Sequence, residues 1–285
     1  MTSQADVRHE VFGGNLRQTV GALLRTGAVR PVARLGAIAL WTSGLFVVLV
    51  VGMWTTAPWP RRRLAWRNRI VSRWARGMGW IVNMRVTILG ERPNPPFFLV
   101  ANHLGYCDIV LLLGHVHGVF VAKKELNRWP VIGYLTRLVG TIFVDRNSRR
   151  DAKRVIESIA QRVATGDGVI VFPEGTSSSG DDVYPMRTAL FEWAAQTGKP
   201  VAIATIYYAT RPGLPPAREA VCWWGDMSFV PHVLQLCQMP GFDATLHFGG
   251  QPVSGNDRAV LAVQAREAVA RNFVPHLAEA IRETR

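Results

Sequence analysis

The sequence predicts an α/β fold, a mixed and largely parallel sheet flanked by helices, preceded by an N-terminal membrane-associated helix or helical hairpin. Three observations predict it. From Val86 onward, short β-rich apolar runs alternate with helical stretches, the pattern of a sheet with helices on its faces. Ahead of them lies an uncharged run of 20 residues, Leu35 to Trp54. Arginines bracket that run on both sides.

At about 1.5 Å per residue the uncharged run makes a helix about 30 Å long, enough for the hydrocarbon layer of a bilayer. The helix is expected over about 35–57: Trp54 and Trp59 supply interfacial aromatics, and Pro58 and Pro60 end it before Arg61, Arg62 and Arg63. A second, amphipathic helix is expected over about 62–82, with Trp66, Ile70, Trp74 and Met78 on one side. The apolar helix either crosses the bilayer or enters one leaflet together with this partner. The run is too long, and too closely followed by arginines, for a cleaved signal peptide. Residues 1–84 thus form a basic, membrane-anchoring region and residues 85–285 the domain that carries the chemistry.

In that domain Phe97 to Ala101, Val119 to Ala122, Thr141 to Val144, Val169 to Phe172 and Val201 to Tyr208 read as buried strands. Ile109 to Leu113, Trp129 to Val139, Asp151 to Ala164 and Thr188 to Thr197 suit helices. Further on, Arg211 to Pro216 is a proline-rich loop, Val221 to Trp224 a strand, Met227 to Cys237 a helix, Thr245 to Phe248 a strand and Arg258 to Arg282 a long helix.

With 285 residues and 48% hydrophobic content, the chain is too apolar for a disordered tail and can bury a full core. Three cysteines without C-x-x-C spacing give neither a disulfide framework nor a zinc ribbon and fit a reducing compartment. The H-x-H pair His115 and His117 has no Cys or carboxylate cluster beside it, so no metal is expected. Of the net charge of +13, residues 1–92 carry +11, from 14 arginines against Asp6, Glu10 and Glu91. Because this charge brackets an apolar segment, it points to anionic lipid headgroups and not to nucleic acid. The arginines from Arg61 to Arg76 outnumber those from Arg8 to Arg34, which places that side in the cytoplasm and the protein at the cytoplasmic membrane, its chemistry on the cytoplasmic face.

Three segments can carry chemistry. Asn102-His103-Leu104-Gly105-Tyr106-Cys107-Asp108 follows the first buried strand. In a regular helix, residues five apart point about 140° away from each other, so His103 and Asp108 meet only if His103 lies in a strand-to-helix turn and Asp108 in the first helical turn. There the carboxylate fixes the imidazole tautomer and leaves the other nitrogen as a base. The alternative is a capping histidine with an aspartate placed for the helix dipole. Phe172-Pro173-Glu174-Gly175-Thr176-Ser177-Ser178-Ser179-Gly180 makes a loop of N–H groups and hydroxyls that suits an anion or a carbonyl oxygen. Gly140 to Arg146 ends in an arginine, the side chain suited to bidentate phosphate binding.

In this order and spacing the segments resemble the 1-acylglycerol-3-phosphate acyltransferase family, bacterial glycerophospholipid acyltransferases. The N-H-x-x-x-x-D block matches Asn102, His103 and Asp108, the glycine-to-arginine block Gly140 to Arg146, the F-P-E-G block Phe172 to Gly175, and a later apolar-proline block Lys199-Pro200-Val201. Lys123-Lys124-Glu125-Leu126 is similar too. The resemblance implies transfer of an acyl chain from acyl-CoA or acyl carrier protein, as co-substrates with no further cofactor, to the hydroxyl of 1-acylglycerol-3-phosphate. It implies His103 as general base, Asp108 as its orienting partner, and Asn102, Lys123, Lys124, Arg146, Glu174, Gly175 and Thr176 as substrate-binding residues. Two positions depart from the pattern: Gly105 stands where serine is frequent, and Ser177 where arginine is. Losing that arginine, with Asp181 and Asp182 nearby, opens the acceptor to another lysolipid such as lyso-ornithine lipid or a lysophospholipid. A membrane lipid hydrolase or thioesterase that uses the same pair to activate water is a further alternative.

Overall fold

The computed structural model describes residues 29–128, 132–145 and 149–276. Seven strands form one sheet: β1 (Met84–Leu89), β2 (Phe98–Ala101), β3 (Gly118–Lys123), β4 (Ile142–Val144), β5 (Gly168–Val171), β6 (Val201–Ala209) and β7 (Phe242–Phe248). Their spatial order is β1-β7-β6-β2-β5-β3-β4. β6, β2, β5, β3 and β4 run parallel, β7 is antiparallel to β6, and β1 is parallel to β7. The sheet is therefore mixed and mostly parallel, with helices on both faces.

The helices are α1 (Val29–Thr55), α2 (Pro60–Ile81), α3 (Cys107–His115), α4 (Ile132–Leu138), α5 (Arg149–Ala164), α6 (Glu192–Thr197), α7 (Ala217–Ala220), α8 (Phe229–Gln238) and α9 (Arg258–Ala270). Side chains alternate across the central strands, so each strand feeds two cores. Leu99 and Ala101 of β2, Ile170 of β5 and Ala204, Ile206 and Tyr208 of β6 pack on one face with Val71 and Ala75 of α2, Leu111 and Leu112 of α3 and Leu236 of α8. Phe98 and Val100, Val169 and Val171, and Val201 and Ile203 pack on the other with Ile159 of α5 and Leu261 and Ala265 of α9. Burial on both faces explains why these strands read as unbroken apolar runs.

α1 and α2 form an antiparallel hairpin. Gly52 admits the Trp66 indole, whose Nε1 would lie 1.9 Å from an added Cβ, and Gly77 admits that of Trp41 at 2.1 Å. Trp41 Nε1 donates to the Trp74 carbonyl (3.2 Å) and Trp74 Nε1 to Thr42 Oγ1 (3.1 Å). The first end of α1 is tied to the C-terminus of α8, where Arg30 donates to the Gln238 carbonyl and Arg34 to those of Cys237 and Pro240. The opposite side of α1 is an apolar stripe with Leu40, Val47, Val51 and Trp54 exposed, and only 11% of its most apolar window is buried. A helix this long and apolar with so bare a face indicates membrane association.

α2 is more than half of a hairpin. Its Val71 and Ala75 lie in one core with the sheet, so the expected boundary at residue 84 falls between elements that share apolar packing. Arg67 reaches across to Asp167, just ahead of β5, with Nη2 2.7 Å from Oδ1 and 2.6 Å from Oδ2; both side chains are buried.

Three expectations differ from the structure. Val221 to Trp224 is not a strand: Cys222 N–H bonds the Ala217 carbonyl and Trp223 N–H the Leu104 carbonyl, so this backbone closes α7 and braces the turn after β2. α9 ends at Ala270, after which a turn leads to Pro275, where a helix interior is disfavoured; residues 277–285 lie outside the described ones. Thr188 to Thr197 begins as a 3₁₀ turn before α6. Strand β1 was not anticipated.

Candidate active site

Parallel register brings the loops to one edge of the sheet. Phe98 pairs with Val169, Gly118 with Gly168 and Val121 with Ile142, so the segments that follow β2, β5, β3 and β4, carrying His103, Glu174, Lys124 and Asp145, all leave the sheet at its C-terminal edge. Ligands of open α/β sheets bind at such edges.

β2 ends at Ala101, and the turn that follows delivers Asp108 into the first turn of α3. His103 Nδ1 lies 2.7 Å from Asp108 Oδ2. The same oxygen accepts from Leu104 N–H (2.6 Å) and Gly105 N–H (3.0 Å), while Oδ1 accepts from the Tyr208 hydroxyl (2.8 Å). Two backbone donors on Oδ2 leave it an acceptor, so Nδ1 carries the hydrogen and Nε2 is the lone-pair nitrogen. The His103 ring stacks on Phe172, centroids 4.1 Å apart at 10°, and its side chain is 21% exposed whereas that of Asp108 is wholly buried. Nε2 bonds no described residue. An imidazole held on one nitrogen and on one face, with the other nitrogen open, has the form of a general base.

Gly105 has φ +153°, and a Cβ there would lie 2.8 Å from the Trp223 backbone nitrogen. Trp223 presses on this turn because its N–H donates to the Leu104 carbonyl (2.8 Å). A serine in place of Gly105 would displace that strut.

Glu174 is buried and joins two loops: Oε1 accepts from His103 N–H (2.9 Å) and Oε2 from Tyr184 N–H (3.2 Å). Burial pushes its carboxyl up to about 8, against the pull of those two N–H donors. Ser178 N–H donates to the His103 carbonyl (2.8 Å), so the glutamate loop grips His103 at both backbone ends. Gly175 forms the tight turn, with φ +77° and its N–H on the Phe172 carbonyl. Asn102 is buried, and its amide bonds both backbone groups of Ile206, donating to the carbonyl (2.9 Å) and accepting from N–H (2.7 Å). The polar atoms of Asn102 and Glu174 are therefore engaged with the protein's own backbone. Thr176 is exposed. Lys123 and Lys124 are exposed at the end of β3, two strands or about 10 Å from β2, and Lys124 pairs with Asp145 at 3.2 Å. Arg146 lies outside the described residues.

Sequence reasoning missed Tyr208, which is distant in the chain and hidden in an apolar strand. It also missed the aromatic wall beside the turn, where the Tyr106 hydroxyl lies 2.8 Å from His232 Nδ1 and Trp223 and Phe229 pack edge-on. Val221-Cys222-Trp223-Trp224 is the local signal for part of that wall.

Residues 83–209 match the family described as Acyltransferase. A lyso-ornithine lipid O-acyltransferase of Rhizobium meliloti is 33% identical over 219 residues, 72% of this chain and 72% of that protein. The chain belongs to the acyltransferase family. A 1-acyl-sn-glycerol-3-phosphate acyltransferase of Neisseria meningitidis is 32% identical to this acyltransferase over 171 residues, 57% of this chain and 67% of that protein. The crystal structure of the 1-acyl-sn-glycerophosphate acyltransferase from Thermotoga maritima shares its fold with a TM-score of 0.60, at 21% identity and over 85% of this chain and 95% of that one.

Proposed function

We propose that this acyltransferase moves an acyl chain from the thioester of coenzyme A or acyl carrier protein to the free hydroxyl of a lysolipid. His103 Nε2 takes the hydroxyl proton, the oxygen bonds to the thioester carbonyl carbon, the carbon–sulfur bond breaks, and the proton passes to the departing thiolate. Asp108, charged and buried, holds the imidazole and stabilises the imidazolium that forms. The observation that carries the reading is the 2.7 Å contact between His103 Nδ1 and Asp108 Oδ2, with Nε2 left open. The test follows thiol release from an acyl thioester in mixed micelles containing a lysolipid. His103→Ala should fall by roughly 10²-fold or more; equal rates refute the reading, and thiol release without acceptor supports hydrolysis instead.

For the acceptor we take a lyso-ornithine lipid first. Ser177 occupies the position after Glu-Gly-Thr, and two arginines beside that loop face acids, Arg218 with Asp181 (3.3 Å) and Arg266 with Asp182 (3.6 Å). Without an arginine at position 177 the loop has one cation fewer for a phosphate, which favours an acceptor that carries none. The family relative from Rhizobium meliloti supports this choice. Lys123 and Lys124 favour the second reading, 1-acylglycerol-3-phosphate. An acceptor panel with both lipids decides between them.

The hairpin would sit in one leaflet at the cytoplasmic face, with the site opening toward the lipid. α1 is held beside the domain along α2 and at α8, which supports an embedded helix over a crossing one. In that arrangement Val32→Cys and Ala57→Cys react with an impermeant thiol reagent from the same side of a vesicle; labelling from opposite sides would mean a crossing helix.

A further inference from the structure

We infer that Tyr208 is a positioning residue for the reaction, setting the basicity of His103 by donating its hydroxyl hydrogen to the Asp108 oxygen that the histidine does not use. The inference rests on the reading of His103 as base. Asp108 Oδ2 is saturated by His103 Nδ1, Leu104 N–H and Gly105 N–H, and the Tyr208 hydroxyl is the described partner of Oδ1. Both residues are fully buried, so no water competes for that oxygen. Burial and the facing carboxylate push the Tyr208 phenol well above its ordinary range, so it keeps its hydrogen and donates.

The hydroxyl is also held rigidly. β6 runs past the end of β2, and its outer half is paired with β7, Tyr208 opposite Ala244. The ring sits edge-on against Phe242, centroids 5.7 Å apart at 80°, and the Tyr208 carbonyl lies 2.9 Å from His276 Nε2. A buried carboxylate that loses one hydrogen bond concentrates its charge on the remaining partners. Without the hydroxyl, Asp108 binds the Nδ1 hydrogen more strongly and favours the protonated imidazole. The free base then appears only at higher pH.

Tyr208→Phe keeps the ring and removes the donor. The acid limb of its kcat/KM profile should move to higher pH by about half a unit or more, with KM for the acceptor within about twofold. In an Asp108→Asn background the same substitution should add no further loss, because Tyr208 acts through the carboxylate. An acid limb that stays in place overturns the inference, as does an equal fold loss in both backgrounds, the mark of simple packing. His103→Ala run alongside separates the two claims: full activity there removes the base itself, whereas an inactive His103→Ala with an unmoved Tyr208→Phe profile removes only the role of Tyr208.

Discussion

Asp167→Asn tests whether α2 is part of the enzyme's frame. Asp167 accepts two charge-assisted bonds from Arg67, and both side chains are buried, at 0% and 5% exposure. Arg162 lies close enough to feel both charges. Removing the negative charge therefore leaves a buried guanidinium with only neutral acceptors, Asn68 Oδ1 and the new amide oxygen, and with a second cation nearby. Breaking one side of such a pair costs about 3–5 kcal/mol, whereas exchanging both partners for apolar residues of similar size costs far less. For a chain of this length that lowers Tm by about 10 °C. The assay is thermal unfolding in detergent of Asp167→Asn and of Arg67→Met combined with Asp167→Leu. The single variant should fall by about 10 °C and the double should recover most of the loss. A single variant within about 2 °C of the parent, or a double as unstable as the single, refutes the reasoning.

Because Glu174 holds its proton up to about pH 8 when folded, against an ordinary 4.5, the folded chain binds a proton that the unfolded chain has released between those values. Stability therefore falls as pH rises through that window; Glu174→Gln should flatten this slope in urea titrations from pH 5 to 9, and an unchanged slope counts against it. Gly52→Val drives a side chain into the Trp66 indole and should cost about 1–3 kcal/mol, read as a lower Tm. Arg69 and Arg73 lie on the exposed face of α2, with no acidic partner among the described residues. Arg69→Gln with Arg73→Gln should weaken binding to anionic vesicles roughly 25-fold, and leave binding to neutral ones unchanged; sedimentation with both vesicle types checks this.

The central strands were legible because burial on both faces writes a continuous apolar run. β1 escaped because it is an edge strand whose alternation, Met84, Val86 and Ile88 inward with Arg85 and Thr87 outward, is interrupted by charge. The pairing of His103 with Asp108 was legible because both residues belong to one turn, and their spacing excludes a helix between them. The parts played by Asn102, Glu174 and Tyr208 were not. Each is defined by a partner far along the chain, Ile206, His103 or Asp108, that only the register of the sheet supplies. A local motif names such residues without saying whether they face a ligand or the protein's own backbone. The aromatic wall around Tyr106 is hidden for the same reason, since it is assembled from three separate segments.

The shared packing of α2 governs how this enzyme can be made water-soluble. Cutting the chain ahead of β1 would strip Val71 and Ala75 from beneath the sheet and leave Asp167 without its cation, so a shortened version should aggregate. Repainting the outer stripe of α1, for instance Leu40, Val47 and Val51 to glutamate or lysine, removes the greasy surface without touching that foundation.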